Sequence, residues 1–254
     1  MSSLRRAGSI PALLILCSAS LQALPNLPSS IAEWLGSPAA AAYAPIAAEL
    51  EAMASTARSS GIPEIVLVER LQEGALKNIR PALLGPALRL DLGRFTAMRE
   101  LLAHFDCLPG DTTSLASLLR QGAILMRAGY TDTELETILA ATGSQAAGGG
   151  QAATGGYASD PEARGPRALR AAAVALDASG RFGLSVQSRL ALGRALAASE
   201  LSAKRFAELL SLLAKARGLG LSSDGAIAII IQGLERGASL DALERDISRR
   251  TIKP

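Results

Sequence analysis

Gly129-Tyr130-Thr131-Asp132-Thr133-Glu134-Leu135 reads as the end of one helix and the start of the next. Glycine enters the left-handed conformation that closes a helix at little steric cost. Thr131 suits an N-cap, and Glu134 three residues later completes a capping box ahead of the apolar positions Leu135, Ile138 and Leu139. Tyr130, between stop and start, is placed to staple onto the new helix.

The same grammar, Gly followed by a mostly apolar residue and then Ser, Thr or Pro, recurs at Gly61-Ile62-Pro63, Gly183-Leu184-Ser185, Gly220-Leu221-Ser222 and Gly237-Ala238-Ser239. Proline replaces the capping hydroxyl in the first of these, which suits an initial helical position. Apolar stripes follow the signals. Ile65, Val68, Leu71, Ala75 and Ile79 recur at steps of three and four, as do Phe206, Leu209, Leu210, Leu213 and Ala216. Glu73 and Lys77 form a favourable surface pair at i,i+4, worth about 0.2–0.5 kcal/mol. Ala226 to Ile231 is apolar on all sides and β-branched, so its pattern admits a buried helix or a strand; the helical signals on either side favour the helix.

Composition agrees with helices packed through small side chains. Hydrophobic residues make up 49% of the 254 and aromatic residues only 3%, which argues against an aromatic-rich β-sandwich and against a disordered chain. The expected fold is all-α, with short antiparallel helices in two modules of helical-hairpin or degenerate repeat character. Residues 68, 54, 37 and 17 apart separate successive signals, so no fixed period supports a regular solenoid.

Residues 1–23 read as an export signal: Arg5 and Arg6 precede the apolar run Ile10 to Cys17, and small residues follow. The run is shorter than the roughly 20 apolar residues that a bilayer span requires. Cleavage after the small residues, lipidation at Cys17 and retention of the run as an apolar helix of the fold are all open, although Leu16 departs from the small residue usual before a lipoprotein cysteine. The expected location is periplasmic or extracellular, with an N-terminal lipid as an optional anchor.

Residues 24–142 form the first expected module, 143–165 a flexible Gly- and Ala-rich linker, and 166–254 the second module. Charge is divided between the halves. Residues 24–142 carry 9 basic and 13 acidic side chains, whereas 163–254 carry 15 and 8. The positive half could attract an anionic partner, and Arg189, Arg194, Lys204 and Arg205 are the expected contacts.

Catalytic equipment is sparse. With one histidine, His104, a serine or cysteine triad has no second candidate for its base, and no Gly-x-Ser-x-Gly elbow occurs. His104, Asp106 and Cys107 are neighbours, but without a second cluster they do not make a closed four-ligand zinc site. No metal, cofactor or catalytic residue is assigned. Glu69 with Glu73, and Asp132 with Glu136, are the carboxylate pairs a hydrolase could use. Nucleic acid is not expected, because basic residues lack interleaved aromatics. These features point to an exported, non-catalytic helical binding or scaffold protein whose partner is an envelope protein, an anionic envelope polymer or a membrane surface. An envelope hydrolase or a structural spacer are the alternatives.

Overall fold

Each of the five glycine signals marks a helix end in the computed structural model, which describes residues 28–143 and 161–251. Gly61, Gly129, Gly183, Gly220 and Gly237 all have positive φ, from 64° to 98°. Four of them close a Schellman motif. Ile62 N–H donates to the Ala57 carbonyl while Gly61 N–H donates to Arg58, and Tyr130, Leu221 and Ala238 repeat the pattern after their own glycines.

The chain runs α1 (Ile31–Leu35), a 3-10 helix η1 (Pro38–Ile46), α2 (Ala47–Ser59), α3 (Ile65–Leu76), α4 (Pro81–His104), α5 (Thr112–Arg127) and α6 (Asp132–Gly143). It resumes with α7 (Pro161–Phe182), α8 (Val186–Ala198), a 3-10 turn η2 (Ala203–Arg205), α9 (Glu208–Gly218), α10 (Ser223–Glu235) and α11 (Leu240–Thr251). The fold is all-α, and no strand occurs among the described residues. Ala226 to Ile231 lies within α10, where Ala226, Ile227, Ile229 and Ile230 are buried.

N-caps follow the sequence reading. Ser185, Ser222 and Ser239 each accept from the backbone N–H three residues on. Thr131 and Glu134 form the capping box reciprocally, with Thr131 N–H donating to Glu134 at 2.8 Å and Glu134 N–H to Thr131 Oγ1 at 3.2 Å. Two further helix ends use the same geometry without glycine. Asn78 after α3 and Asp106 after α4 both have φ of 52°, with Ile79 N–H donating to Gly74 and Cys107 N–H to Leu102. Asn and Asp tolerate this region better than other non-glycine residues.

Residues 144–160, most of the expected linker, and 1–23, where Cys17 and the expected export signal fall, lie outside the described residues. The expected linker boundaries shift inward: Gly143 still belongs to α6, and Pro161 to Gly165 already belong to α7. Helices before residue 144 and after residue 160 share one continuous core. Ala171, Ala172, Ala175 and Ala178 of α7 are fully buried, and α7 packs against α5, α6 and α8. Small residues set the spacing here. A Cβ on Gly193 of α8 would come 2.9 Å from Ile138 of α6 and 3.7 Å from Ala175 of α7. In the first half, a Cβ on Gly122 of α5 would overlap Met98 of α4.

Helix α8 ends without a left-handed residue, since Ser199 is extended. Its last carbonyls are taken by a side chain from α7. Arg167 Nε donates to Ala197 O at 2.8 Å, Nη2 to Leu196 O and to Ser199 O, and Nη1 to Leu201 O at 2.9 Å. The guanidinium also lies 5.0 Å from the ring centroid of fully buried Phe206. A planar fork with several N–H groups can satisfy carbonyls that point in different directions, which a single ammonium cannot do.

Candidate functional site

The four cations expected to meet an anionic partner have different surroundings. Arg189 is a correction to the expected surface. It is buried, donates to Glu134 at 2.8 Å and lies 4.2 Å from the centroid of the Tyr130 ring. Folding brings α8 against α6 and gives this cation a carboxylate and a ring, so it is withheld from any external anion.

Arg194, one turn further along α8, is exposed and makes no ion pair among the described residues. It stands on the rim of a groove of about 960 Å³ between α6, α8 and α10, whose floor includes Ala141, Ala195 and Ala198. Arg236, Glu200 and Glu235 share that rim, so its charges alternate. Lys204 and Arg205 lie exposed on η2, and Arg205 is engaged by both carboxylate oxygens of Glu208.

The two expected carboxylate pairs differ in their surroundings. Glu69 is bound by Arg120 of α5 at 2.8 Å, whereas Glu73 is bound by Arg70 and by Lys77 at 2.6 Å. Partial burial pushes the Glu73 carboxyl up, but Lys77, Arg70 and Arg127 outweigh it and hold it below the usual carboxylate range. Asp132 and Glu136 are exposed on α6. His104 packs edge-on against Phe105 at 4.8 Å, and Cys107 is fully buried, with burial raising its thiol above the ordinary value. A buried, protonated thiol is a poor nucleophile.

A cationic cluster that sequence reasoning missed joins α3, α4 and α5. Asp91 of α4 is only 2% exposed and is met by three guanidiniums. Arg94 and Arg127 donate to Oδ1 at 2.8 and 3.0 Å, while Arg70 and Arg127 donate to Oδ2 at 3.0 and 3.1 Å. Removing a carboxylate from water is costly unless it is paired and hydrogen-bonded, and these four donors satisfy it.

The cations are not matched one for one. Arg70, Lys77, Arg94 and Arg127 face two carboxylates, Asp91 and Glu73, so positive charge remains at the surface. Each of the three arginine side chains is 32% exposed. A guanidinium carries five N–H donors; Arg94 gives one to Asp91 and Arg127 gives two. Arginines fixed in this way meet an incoming oxyanion with part of their side-chain entropy already lost.

Apolar residues flank them. Leu83, Ala87, Leu90 and Arg94 follow one another at steps of four, three and four, which places them on one face of α4. Leu83 is 58% exposed and Leu90 is 64% exposed. No signal in the isolated sequence marks this site, because Arg70, Asp91 and Arg127 are separated by 21 and 36 residues. Among the described residues no group of His, Cys, Asp and Glu could hold a metal ion, and no helix is long and apolar enough to cross a membrane. No protein family, curated protein or solved structure matches the chain.

Proposed function

We propose that this chain is an exported, non-catalytic helical protein of the bacterial envelope that binds an anionic phospholipid surface through the α3–α4–α5 face. The observation that carries the reading is Asp91 holding Arg70, Arg94 and Arg127 in a partly exposed cluster with excess positive charge. Leu83 and Leu90 beside Arg94 supply the apolar component that a soluble anion would not need. Electrostatic attraction and buried apolar area add in interfacial binding. Arg5 and Arg6 ahead of the run Ile10 to Cys17 support export.

Co-sedimentation with vesicles of phosphatidylglycerol and phosphatidylcholine tests the surface. Binding is expected at about 20 mM salt and largely lost at about 200 mM, where the Debye length has shortened to below 10 Å. Arg94→Gln weakens it and Leu90→Ser weakens it further, while Asp91 keeps Arg70 and Arg127. Equal binding to pure phosphatidylcholine, or binding abolished only by changing Arg194, Lys204 and Arg205 together, rejects this face. Mass spectrometry of the native N-terminus tests export separately: an intact Met1 overturns it, and a lipidated Cys17 identifies the anchor.

A further inference from the structure

A second site lies where η1, α3 and the start of α4 meet. A groove of about 610 Å³ opens there, within the size range of small-molecule sites. Tyr43 and Ile79 form its floor, Ala39, Ala42 and Ala75 its walls, and Leu76, 71% exposed, stands at its rim. Tyr43 is fixed in place, since its hydroxyl donates to the Ile79 carbonyl at 2.8 Å and its ring packs 5.6 Å from Trp34.

Three polar side chains, Gln72, Asn78 and Arg80, interrupt this apolar lining. Arg80 is the one charged residue among those that line the groove, and its guanidinium makes no ion pair or hydrogen bond among the described residues. Gln72 places Oε1 out of reach of solvent with no hydrogen-bond partner. An apolar trough with one unpaired cation at its edge describes the complement of an anionic amphiphile.

We propose that this groove binds a single-chain amphiphile with an anionic head, of the fatty-acid class. The acyl chain lies over Tyr43, Ala75 and Ile79, and the carboxylate pairs with Arg80. Alanine walls give the width that a methylene chain needs and larger side chains would remove. Exposed Leu76 is then covered by the bound chain. The site is distinct from the arginines around Asp91, so either can fail without the other.

Calorimetric titration of the full chain with dodecanoate below its micelle concentration tests this, with Trp34 emission as a second readout. One saturable site is expected, with weaker binding of uncharged dodecanol. Ala42→Phe, an exposed wall position, fills the groove and abolishes binding while the helical circular dichroism is kept. Arg80→Gln weakens dodecanoate by about tenfold or more, as loss of a charge-assisted hydrogen bond does, and leaves dodecanol unchanged. Absence of saturable binding, or binding that survives Ala42→Phe, overturns the site; equal affinity for dodecanoate and dodecanol overturns the role of Arg80. Vesicle binding that persists in Ala42→Phe keeps the α3–α4–α5 reading independent of this result.

Discussion

Glu134 and Arg189 are 55 positions apart and on opposite sides of the Gly-rich stretch, yet they form a 2.8 Å ion pair with side chains only 13% and 9% exposed. Glu134 serves three partners at once, the Thr131 amide and hydroxyl on its own helix and the guanidinium from α8. Arg189 covers the Tyr130 ring, whose hydroxyl donates to the Ala172 carbonyl of α7. Burial raises the Tyr130 phenol well above its usual value, so it remains a donor at any physiological pH. One residue group thus ties α6, α7 and α8 together.

Arg189→Met is expected to destabilise the protein by roughly 2–4 kcal/mol, because it leaves a mostly buried carboxylate without its cation. Chemical denaturation measures this. A loss below about 0.5 kcal/mol, as at an ordinary surface position, contradicts the role assigned to the pair.

Acid sensitivity follows from the same carboxylate. Burial pushes Glu134 up, but the Thr131 amide and Arg189 outweigh it and its folded-state pKa lies below the ordinary value. A depressed carboxylate contributes stability that is present above the unfolded pKa of about 4.3 and is lost as pH falls through the folded value. Urea midpoints should therefore decline below about pH 4.5, and Glu134→Gln, less stable at neutral pH, should show a shallower decline. Parallel pH profiles for the two proteins count against this account.

Gly122→Ala is expected to cost about 1–3 kcal/mol, because the new methyl overlaps Met98, which is itself fully buried. Met98→Ala makes room but opens a cavity. The double variant should therefore be more stable than the sum of the two single losses predicts, and a double-mutant cycle reads that coupling directly.

Asp106→Gly should stabilise the fold by about 0.5–1 kcal/mol, since φ of 52° costs glycine less than aspartate. Gly61→Ala at φ of 64° should act in the opposite direction by a similar amount. Thermal midpoints of the two variants should move apart, and a shared direction is incompatible with the backbone argument.

Arg167→Lys keeps the charge but loses the fork that reaches Leu196, Ala197, Ser199 and Leu201 together. The loss should be about 2–3 kcal/mol, as buried carbonyls are left without donors. Hydrogen exchange should be fastest at the C-terminal end of α8, and uniform acceleration across all helices is the contrary outcome.

Helix ends were readable in the chain itself. A glycine followed by a staple and a cap is a local instruction, carried by φ preferences and by hydrogen bonds within six residues, so Gly61, Gly129, Gly183, Gly220 and Gly237 announce their turns unaided. Asn78 and Asp106 make the same turn without that signature, because a residue merely tolerant of left-handed backbone looks like any other polar residue. The all-α class and the helical state of Ala226 to Ile231 follow from the same short-range logic.

Glu73 and Lys77, four residues apart, announce their pairing locally, but tertiary structure alone decided which charges meet across helices. Local sequence gives Arg189 and Arg194 equal standing as cations of one helix, yet packing against α6 buries the first and leaves the second at a groove rim. Asp91 gave no sign of its role until α3 and α5 brought Arg70 and Arg127 to it. Coulomb energy and desolvation depend on distances through space and on water excluded by neighbouring helices, and neither quantity is written in the order of residues along a chain.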